Sequence, residues 1–248
     1  MTDRPTSVRI VGAGRAGGSF AAALTAAGWQ VDLVHHDHPD PGAGADLVLS
    51  CVPDAAVARL AAGWPVHDHV VVAHCAGSLG LDVLAPHPMV GSVHPLVSLP
   101  DPVTGAQRLQ GAWFGVAGHP WMRSVVAALE GTAVSVADED RAVYHAAAVV
   151  ASNHLVALMG QVQRLAAAAD VPLDAFVALA QGSLSNVAAT DPATALTGPV
   201  ARGDWDTVQR HLDAIGPEER DAYRALAEQA ARLAGRQVPW GRAAGAGP

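Results

Sequence analysis

Two rhythms of apolar and polar positions alternate through the first half of the chain. Short apolar runs end on glycine, proline or polar residues, and between them apolar residues recur every three or four positions. The runs predict strands at Val8–Gly12, Val31–Val34, Val70–His74, Gly91–His94, Trp113–Val116 and Ala133–Val136, with a further buried strand within Ala45–Asp54. The stretches between them predict helices at Gly17–Ala27, Ala55–Ala62 and around His119–Leu129. Short apolar strands separated by helices imply a parallel sheet with right-handed crossovers.

The pattern changes near Asp138. From Glu139 to about Ala169 there is no proline and one glycine, Gly160, while Val143, Ala147, Val150, His154 and Leu158 recur at helical spacing. This predicts one helix of roughly 30 residues, on the order of 45 Å long. Its first half is apolar nearly all round and is therefore expected to be buried. Further helices are predicted from Pro172 to about Thr190, over Trp205–Ile215 and over Pro217–Ala234, with a loop at Asp191–Gly203. Pro217 suits a helix start, where its missing N–H costs nothing. The predicted organisation is an α/β sheet domain over residues 1–137, an all-helical domain over 138–235 and a flexible Gly/Ala/Pro-rich tail over 236–248.

Composition narrows the function classes. Half of the 248 residues are apolar and 15% are charged, which suits a folded chain with a substantial core. The formal net charge is −8 and no basic cluster interrupts it, which argues against nucleic acid as a partner. There is no lysine; all 15 basic residues are arginine, so no lysine is available as a catalytic acid. Met1–Pro5 shows no signal-peptide pattern and no apolar run is read as a membrane span, so a cytoplasmic protein is expected. Cys51 and Cys75 close apolar runs and are expected to be free, buried thiols.

The most specific motif is Gly12-Ala13-Gly14-Arg15-Ala16-Gly17, a G-x-G-x-x-G that leaves a predicted strand and opens a predicted helix. In this context Gly12 makes the tight turn, Gly14 admits a diphosphate close to the backbone, and Gly17 lets strand and helix pack. Free N–H groups at the helix start, with the helix dipole behind them, favour the phosphate charge. A dinucleotide is therefore expected on Gly12, Ala13, Gly14, Arg15, Ala16 and Gly17, with Val52, Pro53 and His74 at the ends of neighbouring strands. The second strand runs out into His35-His36-Asp37-His38. A carboxylate in first place would bind a ribose 2′-hydroxyl and repel a 2′-phosphate; His35 and His36 would not repel it, and Arg15 is a second phosphate partner. NADP is favoured, with NAD possible through Asp37. Adjacent residues on a strand point apart, so this histidine run is not expected to hold a metal, and no metal site is expected elsewhere.

Val70–Gly77, then Gly91-Ser92-Val93-His94-Pro95-Leu96-Val97-Ser98, then Tyr144–Asn153, and finally Thr197–Asp204 with His211, resemble the Rossmann-like proteins that carry a DUF2520 helical domain. That family is distantly related to ketopantoate reductase, pyrroline-5-carboxylate reductase, prephenate dehydrogenase and the β-hydroxyacid dehydrogenases. The resemblance spans nearly the whole chain. It implies a Rossmann-type parallel-sheet domain, a helical domain like the C-terminal one of 6-phosphogluconate dehydrogenase, oxidoreductase activity and a homodimer. One departure stands out. Ketopantoate reductases and β-hydroxyacid dehydrogenases use a Lys-x-x-x-Asn pair on the first long helix; Asn153 matches the Asn, but four positions before it stands Val149.

Reduction of a 2-oxo acid needs a hydride from the nicotinamide, a proton for the developing alkoxide, and donors for the carboxylate. Histidine is the natural proton donor near neutral pH. His94, just past a strand end and in a segment similar to the His-Pro segment of prephenate dehydrogenases, is the first candidate. His145 and Asn153 on the long helix are the others. Ser98, Ser152 and Arg202 are candidates for holding the substrate carboxylate, Arg202 by a two-point clamp. His145 and Ser152, seven apart, are read as sharing a helix face. The resulting expectation is an NADP-dependent, ketopantoate-reductase-like enzyme acting on a small carboxylate. The alternative is a non-catalytic NAD(P)-binding sensor, which the Val149 departure favours. The remaining histidines, His67, His69, His87 and His119, are expected on the surface.

Overall fold

The computed structural model describes residues 5–240. By their internal contacts they fall into two compact units that divide between Asn153 and His154.

The first unit is a seven-stranded sheet with helices on both faces. The strands are β1 (Ser7–Val11), β2 (Gln30–Val34), β3 (Leu47–Ser50), β4 (Val71–His74), β5 (Val90–Pro95), β6 (Trp113–Gly118) and β7 (Thr132–Ser135), in the order β2-β1-β3-β4-β5-β6-β7. All neighbours are parallel except β5 and β6, which pair antiparallel with His94 opposite Gly115. The expected all-parallel sheet is corrected there: Ser98–Gly111 returns the chain to the same end of the sheet without a full crossover. The helices are α1 (Arg15–Ala26), α2 (Asp54–Gly63), α3 (Pro102–Leu109), α4 (Trp121–Ala128) and α5 (Arg141–Val149).

Strand alternation explains the core. Ile10, Leu47, Leu49, Val71 and Ala73 face one layer with Phe20 and Leu24 of α1 and Val125 and Val126 of α4. Val11, Val48, Val70 and Val72 face the other with Val57 and Ala61 of α2. Both faces are covered, so the central strands read as unbroken apolar runs rather than as alternation. Helix α3 was not predicted. Its start nevertheless follows capping chemistry, since the Asp101 carboxylate accepts from the N–H groups of Val103 and Thr104 and proline follows directly.

Asp138–Ala168 forms the expected long helical run, but not one uniform α-helix. A 3₁₀ turn (Asp138–Asp140) leads into α5, a π turn occupies Val150–His154, and α6 (Leu155–Ala168) continues the run. The expectation that its first half is buried is not met: only Arg141 of α5 is buried, and Val143 is 68% and Val150 57% exposed. An apolar surface needs a cover, and among the described residues none lies over Val143 and Val150. The run is also long and apolar enough to cross a membrane, contrary to the sequence reading that no stretch was. The unit division falls inside this π turn rather than at Ala137, where the sheet ends, because α5 is tied to the sheet through Arg141 and Tyr144.

The second unit consists of α6, α7 (Leu173–Ala189), two one-turn helices α8 (Pro192–Ala195) and α9 (Pro199–Arg202), α10 (Trp205–Ala214) and α11 (Pro217–Leu233). Val200, Val208, Leu212, Ala227 and Ala231 make its core. The Gln161 amide donates to Glu219 O at 2.9 Å, and Arg164 makes a two-point ion pair with the Glu219 carboxylate, joining α6 to α11. The expected loose tail is docked in its first part: Val238 and Trp240 pack on this core, and the Trp240 indole donates to Glu228 at 2.9 Å. The remainder of that tail lies outside the described residues.

Candidate functional site

The glycine loop is built as its spacing requires. Gly12 has φ +107°, a conformation that favours glycine, and a Cβ there would sit 2.8 Å from Cys51 O. A Cβ on Gly17 would collide with the carbonyl oxygen of Gly12. Around Gly14, by contrast, a Cβ would meet nothing within 4 Å. This glycine is therefore not demanded by the protein's own packing, although it caps α1. An open cradle beside unpartnered helix-start N–H groups is the shape that a diphosphate fills. The loop is also tied to the end of β2, since Gly12 N–H donates to Val34 O at 2.9 Å. His35 thus follows directly beside it. The His35 and His36 rings lie 4.1 Å apart, and His35 Nδ1 is 3.0 Å from the Asp37 carboxylate, all at the surface.

Beyond the C-terminal ends of β1, β3, β4 and β5 lies a cleft of about 560 Å³. Strand order reverses at β1 and β3, where open α/β sheets gather ligands. Gly14, Arg15 and Ala16 form one wall, Cys51, Val52, Pro53 and Asp54 the next, and Cys75, Ala76 and Gly77 the floor. His94, Pro95 and Val97–Leu99 from the end of β5, with His145 and Asn153 from the helical run, complete it. Every one of these residues belongs to the first unit.

His94 sits at the centre. Its Nδ1 lies 2.8 Å from the Tyr144 hydroxyl, and its ring meets Tyr144 and His145 edge-on, with centroids 5.5 and 5.8 Å away. Its Nε2 lies over Gly77: a Cβ there would be 2.8 Å from Nε2 and 2.6 Å from the His145 ring. The glycine leaves that nitrogen open to the cleft. Burial, then the neighbouring His145 and Arg141, push His94 down to about 4. It is therefore neutral at pH 7, a ring that can donate one N–H.

Beneath the floor lies Arg141, 1% exposed. Its guanidinium donates to Ser92 Oγ and, at 3.5 Å, to Ala76 O, and Asp138 stands 3.7 Å from its Nε. Burial lowers its pKa, opposed by Asp138, and an arginine stays charged throughout. The cleft thus has a fixed cation behind it and Arg15 on its rim, against one acid, Asp54, whose carboxylate accepts from Ser78 Oγ at 2.9 Å.

Of the residues expected to act, the cleft brings together Gly14, Arg15, Ala16, Val52, Pro53, His94, Ser98, His145 and Asn153. Gly12, Ala13 and Gly17 shape the loop without lining it. His74 does not face the cleft: it is wholly buried, its Nε2 lies 3.2 Å from Gly80 O, and burial lowers its pKa. Ser152 does not line it either; its hydroxyl lies 2.7 Å from Ala148 O and 2.9 Å from Asn153 Oδ1. The sequence reading counted regular helix, on which residues 145 and 152 share a face. A π turn takes up about one residue more than an α turn, which moves residue 153 into that place. Arg202 ends α9 in the second unit, beside Asp204, which caps α10 by accepting from Thr207 N–H. Among the other histidines, His87 is buried rather than exposed, with Nε2 2.9 Å from Ala61 O. Tyr144, Arg141, Asp54 and Gly77 were missed. An arginine and a tyrosine one turn apart at the start of an apolar helix were the available signal for two of them.

Residues 116–230 match the family described as "Domain of unknown function (DUF2520)", a match that begins within β6 rather than at residue 138. No curated protein matches the sequence. Among solved structures, the chain is similar to a candidate NADP oxidoreductase from Bacteroides fragilis, with 20% identity, a TM-score of 0.75 and coverage of 93% of this chain and 100% of that one. A Thermotoga maritima protein shows 22% identity and a TM-score of 0.71 over 92% and 98% of the two chains. Pyrroline-5-carboxylate reductase from Streptococcus pyogenes shows 12% identity and a TM-score of 0.65 over 93% and 100%. These likenesses establish the fold, a mostly parallel sheet domain followed by helices, and residues 116–230 are similar to the DUF2520 domain.

Proposed function

We propose that this chain is an NADP-dependent oxidoreductase that reduces the carbonyl of a small carboxylate, a 2-oxo acid of the ketopantoate type. One observation carries the reading: a dinucleotide-type glycine loop and the open Nε2 of a half-buried, neutral histidine share a single cleft. The similar Bacteroides fragilis structure, described as a candidate NADP oxidoreductase, supports the cofactor. The helix-start N–H groups from Gly14 to Gly17 would hold the diphosphate, with Arg15, His35 and His36 near the 2′-phosphate. When bound, the nicotinamide supplies the hydride. His94 Nε2–H gives the proton to the developing alkoxide, Asn153 and Ser98 orient the substrate, and the Arg141 charge behind the floor favours an anion. His94 thus fills the role of the absent lysine. Arg202, expected as a carboxylate clamp, enters no step of this scheme.

The exposed apolar side chains of α6 and α7, including Val156, Leu179 and Leu184, fit a second copy of the chain better than water. A homodimer is the assembly that this surface supports. The test of function is titration with NADPH and NADH, followed by NADPH oxidation at 340 nm on a panel of 2-oxo acids that includes ketopantoate. Binding with turnover, lost in His94→Ala at unchanged NADPH affinity, is expected. Binding without turnover on any member would make the chain a cofactor sensor, and absence of binding would end both readings.

A further inference from the structure

We infer that Tyr144 is a positioning residue that fixes the tautomer of His94, so that the ring presents Nε2–H to the cleft and can be recharged with a proton from behind. The inference deepens the reading of His94 as proton donor and rests on it for its catalytic meaning. Its geometric content stands alone.

The arrangement begins in the sheet. His94 on β5 faces Gly115 on β6 across the antiparallel pair. Gly115 has no side chain, and the vacancy is filled from above by the Tyr144 phenol of α5: a Cβ on Gly115 would lie 2.5 Å from Tyr144 Oη. From there the hydroxyl reaches His94 Nδ1 at 2.8 Å, with the two rings at 83°.

Proton accounting then settles the tautomer. Burial raises the Tyr144 pKa, so the phenol keeps its proton. A half-buried O–H needs an acceptor, and Nδ1 stands at hydrogen-bond distance. A neutral imidazole carries one proton; with Nδ1 accepting, that proton is on Nε2, the nitrogen over Gly77. The His145 ring beside it and the buried Arg141 guanidinium both disfavour a second proton on His94.

The same chain of groups balances a proton transfer. As Nε2–H gives its proton to a substrate alkoxide, Nδ1 takes the phenolic proton of Tyr144. The products are a neutral alcohol, a neutral imidazole protonated on Nδ1, and a phenolate. Arg141, one turn earlier on α5, supplies the positive charge that stabilises that phenolate. Without Tyr144, the donor would have to become an imidazolate.

The test is ¹⁵N NMR of the His94 ring in the full chain, free of ligand at pH 7, with the signal assigned by its loss in His94→Gln. The expected wild-type signature is an unprotonated Nδ1 and a protonated Nε2. Tyr144→Phe keeps the edge-on ring contact but removes the hydroxyl; the ratio of Nε2–H to Nδ1–H forms should fall about fivefold, the equivalent of one ordinary hydrogen bond. Gly115→Ala displaces the phenol from the opposite side and should move the ratio the same way. NADPH affinity should stay within twofold in Tyr144→Phe, while turnover on the best 2-oxo acid of the panel falls at least tenfold. A wild-type Nδ1–H ring, or a ratio that neither variant moves, overturns the inference. Failure of NADPH to bind, with the tautomer behaving as stated, overturns the functional reading and leaves the positioning role standing.

Discussion

Gly14→Ala separates what the glycine loop does for the fold from what it does for a ligand. The backbone at Gly14 has φ −81° and ψ −166°, open to any residue, and a Cβ there meets no atom within 4 Å. Alanine is a poorer helix cap than glycine, but it also narrows the unfolded ensemble by about 0.4–1 kcal/mol in favour of folding. The two effects oppose each other, so stability should change by less than about 1 kcal/mol, a shift of no more than roughly 4 °C in Tm for a chain of this size. The methyl group would occupy the space into which a diphosphate must come. Losing one charge-assisted hydrogen bond costs about 1.5–3 kcal/mol, which is roughly a tenfold to 150-fold rise in the NADPH Kd. Thermal unfolding and a fluorescence titration with NADPH, run on the same preparation, measure both quantities. Gly17→Ala is the contrast, since its methyl collides with Gly12 O and should cost the fold itself. A folded Gly14→Ala protein that binds NADPH within twofold of wild type would refute the placement of the diphosphate.

Further outcomes follow from the same geometry. His94 titrates near 4 in the fold and near 6.5 when unfolded, so the unfolded chain binds more protons between those values. Stability should be complete above about pH 6.5 and fall as pH drops towards 4; His94→Gln should narrow the gap between urea unfolding at pH 7.5 and at pH 5, and an unchanged gap would deny the shift. Cys75 lines the cleft and is partly exposed, whereas Cys51 is buried and its thiol is pushed up by Cys75 and by burial. N-ethylmaleimide should label Cys75 first, and saturating NADPH should slow it at least tenfold; an unprotected rate would place the cofactor elsewhere. Light scattering should give twice the chain mass for the wild type and a smaller species for Val156→Asp, at a position 72% exposed; a wild-type monomer would leave the apolar helices unexplained.

The sheet was legible because each central strand is buried on both faces and so reads as an unbroken apolar run. Its antiparallel step was not, since direction depends on how Ser98–Gly111 folds back and on an unremarked Asp-Pro helix start. The glycine loop was legible to the residue, for its constraints are local. Residues brought in by tertiary packing were not: Tyr144 acts only because β6 carries glycine opposite His94, and Arg141 only because α5 lies on the sheet. His74 was misplaced because a strand end names a position, not the direction of its side chain. The apolar first half of the long helix was misjudged for a different reason. Apolar sequence says that a surface will be covered, and not whether the same chain covers it.

The widened turn at Val150–His154 changes how relatives should be compared with this chain. An amine four residues before an asparagine stands directly below it only on an evenly wound rod. Here the extra residue per turn puts Ala148, five before Asn153, in that place, and Ser152 already bonds back to its carbonyl. Column-by-column alignment through this stretch would therefore pair residues that point in different directions. Deleting one residue ahead of Asn153 should restore an even winding and leave Asn153 seven places after His145, still on the cleft side.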